Sequence, residues 1–61
     1  MAQRLIDLYS VGEVVEITFG HDVWRRAIVR QLQHPGLWVQ TVDGQLWFVT
    51  NTRRIRKPEA L

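Results

Sequence analysis

Sixty-one residues without a cysteine, carrying a formal net charge of +2, exclude a multidomain chain, a disulfide scaffold and a thiolate metal site. No apolar run approaches the ~20 residues of a membrane span, and Asp7 interrupts what would be a signal core, so the expectation is a cytoplasmic chain with no membrane partner. A chain this short buries only about 60% of the surface its unfolded form exposes, so three Trp, two Phe and one Tyr must supply much of the core.

Residues 1–10 place Leu5, Leu8 and Tyr9 at i, i+3 and i+4, the spacing of one helical face. So short a helix is not stable alone. The segment is therefore a short N-terminal helix or an arm, serving as a lid over the rest of the chain or as a homodimer contact. Val11-Gly12 is a turn. Residues 14–19 alternate, with Val15, Ile17 and Phe19 on one face and Val14, Glu16 and Thr18 on the other. Gly20-His21-Asp22 is a loop. Residues 23–32 form a longer strand, Ala27 and Val29 inward, Arg26, Ile28 and Arg30 outward. Leu32 falls on the outer parity, which predicts a bulge or bend late in the strand. His34-Pro35-Gly36 is a turn, and residues 37–42 are the third strand. Asp43-Gly44 predicts a two-residue type I′ hairpin into a fourth strand, residues 45–49, with Leu46 and Phe48 alternating against Trp47. Thr50-Asn51-Thr52 predicts one 3₁₀ turn, and Ile55 a short last strand. Residues 58–61 should fray. The predicted core is Val15, Ile17, Ala27, Val29, Val39, Leu46, Phe48 and Ile55.

Five strands within residues 11–57 cannot make two full sheets. The economical answer is an all-β, five-stranded barrel, since closure also hides sheet edges. The Gly12-Glu13 pair, the segment Trp24-Arg25-Arg26-Ala27-Ile28-Val29, the Asp43-Gly44 hairpin and the basic end Arg53-Arg54-Ile55-Arg56 resemble a Tudor-type SH3-like barrel. They are also similar to the SH3-like C-terminal domains of integrases and transposases. The resemblance covers most of the chain and implies the fold. A Tudor-type domain further implies an aromatic cage that reads methylated Lys or Arg. Phe19 matches one cage position, but Arg25, Gln40 and Asp43 stand at the others, and a cage needs several π faces. The departure argues against methyl recognition.

Charge is divided along the chain. In residues 1–24, Arg4 stands against Asp7, Glu13, Glu16 and Asp22; in residues 25–57, Arg25, Arg26, Arg30, Arg53, Arg54, Arg56 and Lys57 stand against Asp43 alone. Arginine forks onto phosphate or carboxylate, so an anionic partner is expected. Arg53, Arg54, Arg56 and Lys57 are the densest set, with Arg26 and Arg30 on one strand face. Trp38 and Trp47 are possible aromatic contacts in a mixed basic–aromatic platform; the alternative is that they cover the barrel's ends. His21-Asp22, His34 and Ser10 match no catalytic or metal-ligand spacing, and no cofactor motif is present. The leading expectation is a non-enzymatic module binding nucleic acid, DNA foremost, through its backbone, as an accessory protein of a phage or mobile element. The alternative is a protein-interaction module using a Trp-rich surface. The two Trp decide between them. One apolar patch away from the arginines favours a protein; interleaving with arginine favours nucleic acid.

Overall fold

The computed structural model describes residues 4–20 and 22–58. Residues 1–3, His21 and residues 59–61, including nearly all of the C-terminal stretch expected to fray, lie outside the described residues. The elements are a helical turn α1 (Leu5–Leu8), β1 (Val14–Thr18), β2 (Trp24–Gln33), β3 (Gly36–Thr41), β4 (Leu46–Val49), a 3₁₀ turn (Thr52–Arg54) and β5 (Ile55–Arg56). The strands form one antiparallel sheet in the order β4-β3-β2-β1-β5. No helix among the described residues is long and apolar enough to cross a membrane.

Register explains the core. Val15 lies opposite Ala27, Ile17 opposite Ile55, Val29 opposite Val39 and Leu37 opposite Val49. Directly opposed residues share a face, so these eight side chains line one side of the sheet, and all are buried. Leu5 of α1 completes the cluster, with Ile6 and Tyr9 packed against it. The N-terminal segment thus spends its apolar side chains within the chain.

The expected irregularity in β2 is present. The β2–β3 register shifts between Val29 and Gln31, and Leu32 then lies opposite the buried Leu37. One extra residue, Arg30, returns Leu32 to the inner parity, although at the strand's end it keeps 37% exposure. His34-Pro35 is the turn into β3, with a cis bond between them.

The β3–β4 hairpin differs from the sequence expectation, and the difference moves a whole strand. A two-residue Asp43-Gly44 turn would set Val39 opposite Phe48. Instead Val39 lies opposite Trp47 and Gln40 opposite Leu46. The loop is three residues long. Gly44 N donates to the Thr41 carbonyl at 2.9 Å, Thr41 N donates to the Gln45 carbonyl at 2.9 Å, and only Gly44 takes a positive φ, 89°. That is a type I turn closed by a left-handed glycine, the usual three-residue hairpin. A one-residue slip turns every side chain of a strand over. Leu46 and Phe48 therefore face outward, 56% and 38% exposed, and Val49 takes the expected core position. Two smaller corrections follow strand ends. Phe19, expected as the last residue of the first strand, lies beyond β1 and is exposed. The 3₁₀ turn sits two residues later than expected because the Asn51 side chain accepts from Arg53 N and caps it there.

Candidate functional site

Three ion pairs neutralise most of the acidic N-terminal half. Arg4 Nε donates to Asp7 at 3.0 Å, Arg56 Nε donates to Glu16 at 2.9 Å, and Lys57 Nζ lies 3.7 Å from Glu13. The last two follow from β5 pairing with β1, which places Arg56 directly opposite Glu16. The Arg56 guanidinium also lies over the Trp24 ring, 3.9 Å from its centroid, a favourable cation–π placement. Lys57 lies 5.9 Å from the Tyr9 ring centroid, and burial pushes the Tyr9 hydroxyl up from its ordinary value. Among the described residues, Arg25, Arg26, Arg53 and Arg54 form no ion pair, and Arg30 donates only to the neutral Gln40 side chain at 2.9 Å. Asp22 and Asp43 are the described acids outside those pairs.

Arg53 and Arg54 are held by backbone geometry rather than by side-chain partners. Asn51 Oδ1 accepts from Arg53 N at 2.9 Å, and the Asn51 carbonyl accepts from Arg54 N at 3.0 Å. The turn between β4 and β5 therefore projects both guanidinium groups into solvent. Arg25 reaches the surface by another route. It lies opposite Ile17 on the inner parity, but at the start of β2, so its long side chain leaves the core at the sheet's end.

Phe19 and Trp47 meet at that same end, ring centroids 4.4 Å apart and planes inclined at 47°. The β1–β2 loop sets Phe19 there: Gly20 N donates to Thr18 Oγ1 at 3.2 Å, and Gly20 takes φ 118°. The hairpin slip sets Trp47 there. The ring pair forms a ridge between two depressions. One, of about 160 Å³, is lined by Phe19, Trp47, Arg25, Asp43, Gln45 and Thr41. The other, of about 350 Å³, is lined by Phe19, Trp47, Phe48, Asn51 and Arg54 among others. The Thr41 hydroxyl donates to Asp43 and, with Arg25 nearby, keeps this carboxyl below its ordinary range.

The expected site residues are thus distributed over several places. Arg53 and Arg54 stand together, and Arg54 adjoins the aromatic ridge. Arg56 and Lys57 turn toward Glu16 and Glu13. Arg26 lies opposite Glu16 from the β2 side, while Arg26 and Arg30 border a wider outer groove of about 540 Å³ with Val14, Ile28, Gln40 and Val42. Trp38 and Trp47 occupy opposite faces: Trp38 packs on Phe48 at 5.0 Å and donates to the Gln33 side chain at 3.0 Å. They do not form one apolar patch. Trp47 is instead interleaved with arginine, Arg25 on one side and Arg54 on the other. Phe19, Phe48 and Arg25 join this site without having stood among the expected site residues. The clue to Arg25 was its inward parity at a strand's first turn; for Phe48 no local signal existed, because its direction depends on the hairpin slip.

Trp47 also bears on the cage comparison. It gives Phe19 a second aromatic partner that the cage positions did not supply. The two rings touch each other, however, leaving no gap for an ammonium group between them, and Arg25 opposes a cation in the adjoining depression.

The chain matches no protein-family model, no curated protein and no solved structure.

Proposed function

We propose that this chain is a small SH3-like barrel that binds the backbone of nucleic acid without catalysing a reaction. Support for the barrel comes from burial. Val15, Ile17, Val29, Leu37 and Val39 have no exposed surface, yet among the described residues the only α-helix is a single turn. A sheet must bury its apolar face against another layer; with so little else present, this one curls over its own inner face.

The observation that carries the functional reading is the charge left after pairing. Asp7, Glu13 and Glu16 are each matched by a nearby base. Among the described residues, what remains is Arg25, Arg26, Arg30, Arg53 and Arg54 against Asp22 and Asp43. Each guanidinium can fork onto a phosphate, and Arg25, Arg53 and Arg54 gather around the Phe19–Trp47 ridge, while Arg26 and Arg30 border the outer groove. The interleaving of Arg25 and Arg54 with Phe19 and Trp47 favours nucleic acid over an acidic protein.

The test is a binding titration across a salt series with DNA and with RNA. If about four phosphates are neutralised, log affinity falls against log salt with a slope of roughly −3 to −4. Changing Arg53 and Arg54 together to Ala reduces that slope by about 1.5–2 and weakens all sequences alike, since backbone contacts position rather than specify. Arg56→Ala has a smaller effect because Glu16 already engages that side chain. Failure to bind DNA or RNA at low salt contradicts the proposal, and the outer groove of Val14, Ile28 and Val42 then becomes the surface to test against a protein partner.

A further inference from the structure

Resting on that reading, we propose that the ligand is a single strand whose bases stack on the Phe19–Trp47 ridge while its backbone follows Arg53 and Arg54. In a duplex, the π faces of the bases are already covered by their neighbours. Exposed aromatic rings beside arginine gain little from such a partner. They gain much from an unpaired strand, whose bases present free faces and whose phosphates lie within reach of the flanking cations.

Three features place the strand. Phe19, Trp47 and Phe48 are 46%, 39% and 38% exposed, a large uncovered apolar area for so small a domain. The two depressions meet at the ring pair, so a base resting on it has room on both sides. The charges on the two sides differ. Arg54 lines the larger depression, and Arg53 adjoins it in the same 3₁₀ turn. The smaller depression holds Arg25 together with an ionised Asp43, whose carboxylate repels phosphate. The backbone is therefore drawn to the Arg53–Arg54 side, and the base edge points toward Arg25 and Asp43. The outer groove lacks this combination: Arg26 and Arg30 border it, but no aromatic ring lines it.

The experiment is a fluorescence-anisotropy titration of the full chain at low salt with four probes of equal length. These are an oligothymidylate, an oligouridylate, a duplex, and an abasic strand that keeps the phosphates without the bases. At least one base-bearing single strand binds roughly tenfold or more tightly than the duplex and the abasic strand. The oligothymidylate and oligouridylate arms distinguish DNA from RNA. Trp47→Ala loses most of that advantage, leaves the abasic affinity unchanged and keeps the salt slope. Phe19→Leu repeats the test at a half-exposed loop position outside the strands, in case the Trp47 variant unfolds. Arg54→Ala instead weakens every probe and flattens the slope. Equal binding of the abasic and base-bearing strands, or of duplex and single strand, overturns this inference and leaves backbone binding standing. Failure of all four probes to bind overturns both.

Discussion

Gly36 shows how closely the smallest residues fix this sheet. It opens β3 opposite Gln33, and a Cβ built there would overlap the Val49 carbonyl oxygen and crowd the Thr50 methyl. Backbone cannot swing away as a flexible side chain does. Gly36→Ala should therefore push β4 off β3 and cost about 1–3 kcal/mol, read as a lower urea midpoint; an unchanged midpoint would show that the strands yield freely. Thr41 is a second such residue, a buried polar side chain satisfied by Asp43 and by the Gln45 carbonyl. Its hydroxyl lowers the Asp43 carboxyl, as Arg4 lowers Asp7 by hydrogen bonding. Both folded values lie below the unfolded ones. The stability they contribute is thus fully present above the ordinary carboxylate value of ~3.9 and is lost as pH falls through the depressed values. Thr41→Val should raise the Asp43 midpoint toward ~3.9 in an NMR pH titration; no movement would remove the hydroxyl as its cause. In the sequence, Asp43 and Gly44 read correctly as a turn, but the part played by Thr41 did not, because it depends on how many residues the loop contains.

At the scale of elements, the strands were legible and one register was not. Alternation marked β1 and β2 with their inward residues and Val39 in β3, though not the buried Leu37 and Thr41, and the off-parity Leu32 marked the bulge that the shift at Arg30 realises. The hairpin was ambiguous for a physical reason. Asp-Gly serves a two-residue loop if both residues take positive φ, and a three-residue loop if only the glycine does. The same letters permit either, and the choice turns over the whole of β4. Deleting Val42 should leave Asp43-Gly44 as a two-residue loop between the same closing pair, Thr41 and Gln45. Leu46 and Phe48 should then stay outward and Val49 inward, with the Val39–Trp47 pairing kept in cross-strand NMR contacts and unfolding still cooperative. Loss of those contacts would mean that the register depends on the three-residue loop itself.

At the scale of the whole molecule, stability and binding draw on separate residues. A chain of this size holds only about 3–9 kcal/mol of folding free energy, and the inner face of one sheet with Leu5 supplies its apolar part. The exposed arginines add little to it, since surface charges contribute weakly, and they remain available to a ligand. The sequence displayed the excess of arginine but not its distribution. Glu16 and Arg56 are forty residues apart and meet only because β5 closes onto β1. That pairing withdraws Arg56 and Lys57 and leaves Arg53 and Arg54 as the most available of the terminal set. The same folding brings Phe19, from the end of β1, against Trp47 of β4. The most direct test of this account is an NMR titration of the ¹⁵N-labelled chain with an unpaired oligonucleotide. The predicted result is that shifts concentrate at Phe19, Arg25, the Trp47 indole, Phe48, Arg53 and Arg54, while Val14, Ile28 and Val42 in the outer groove stay still. Shifts confined to that groove, or none at all, would contradict it.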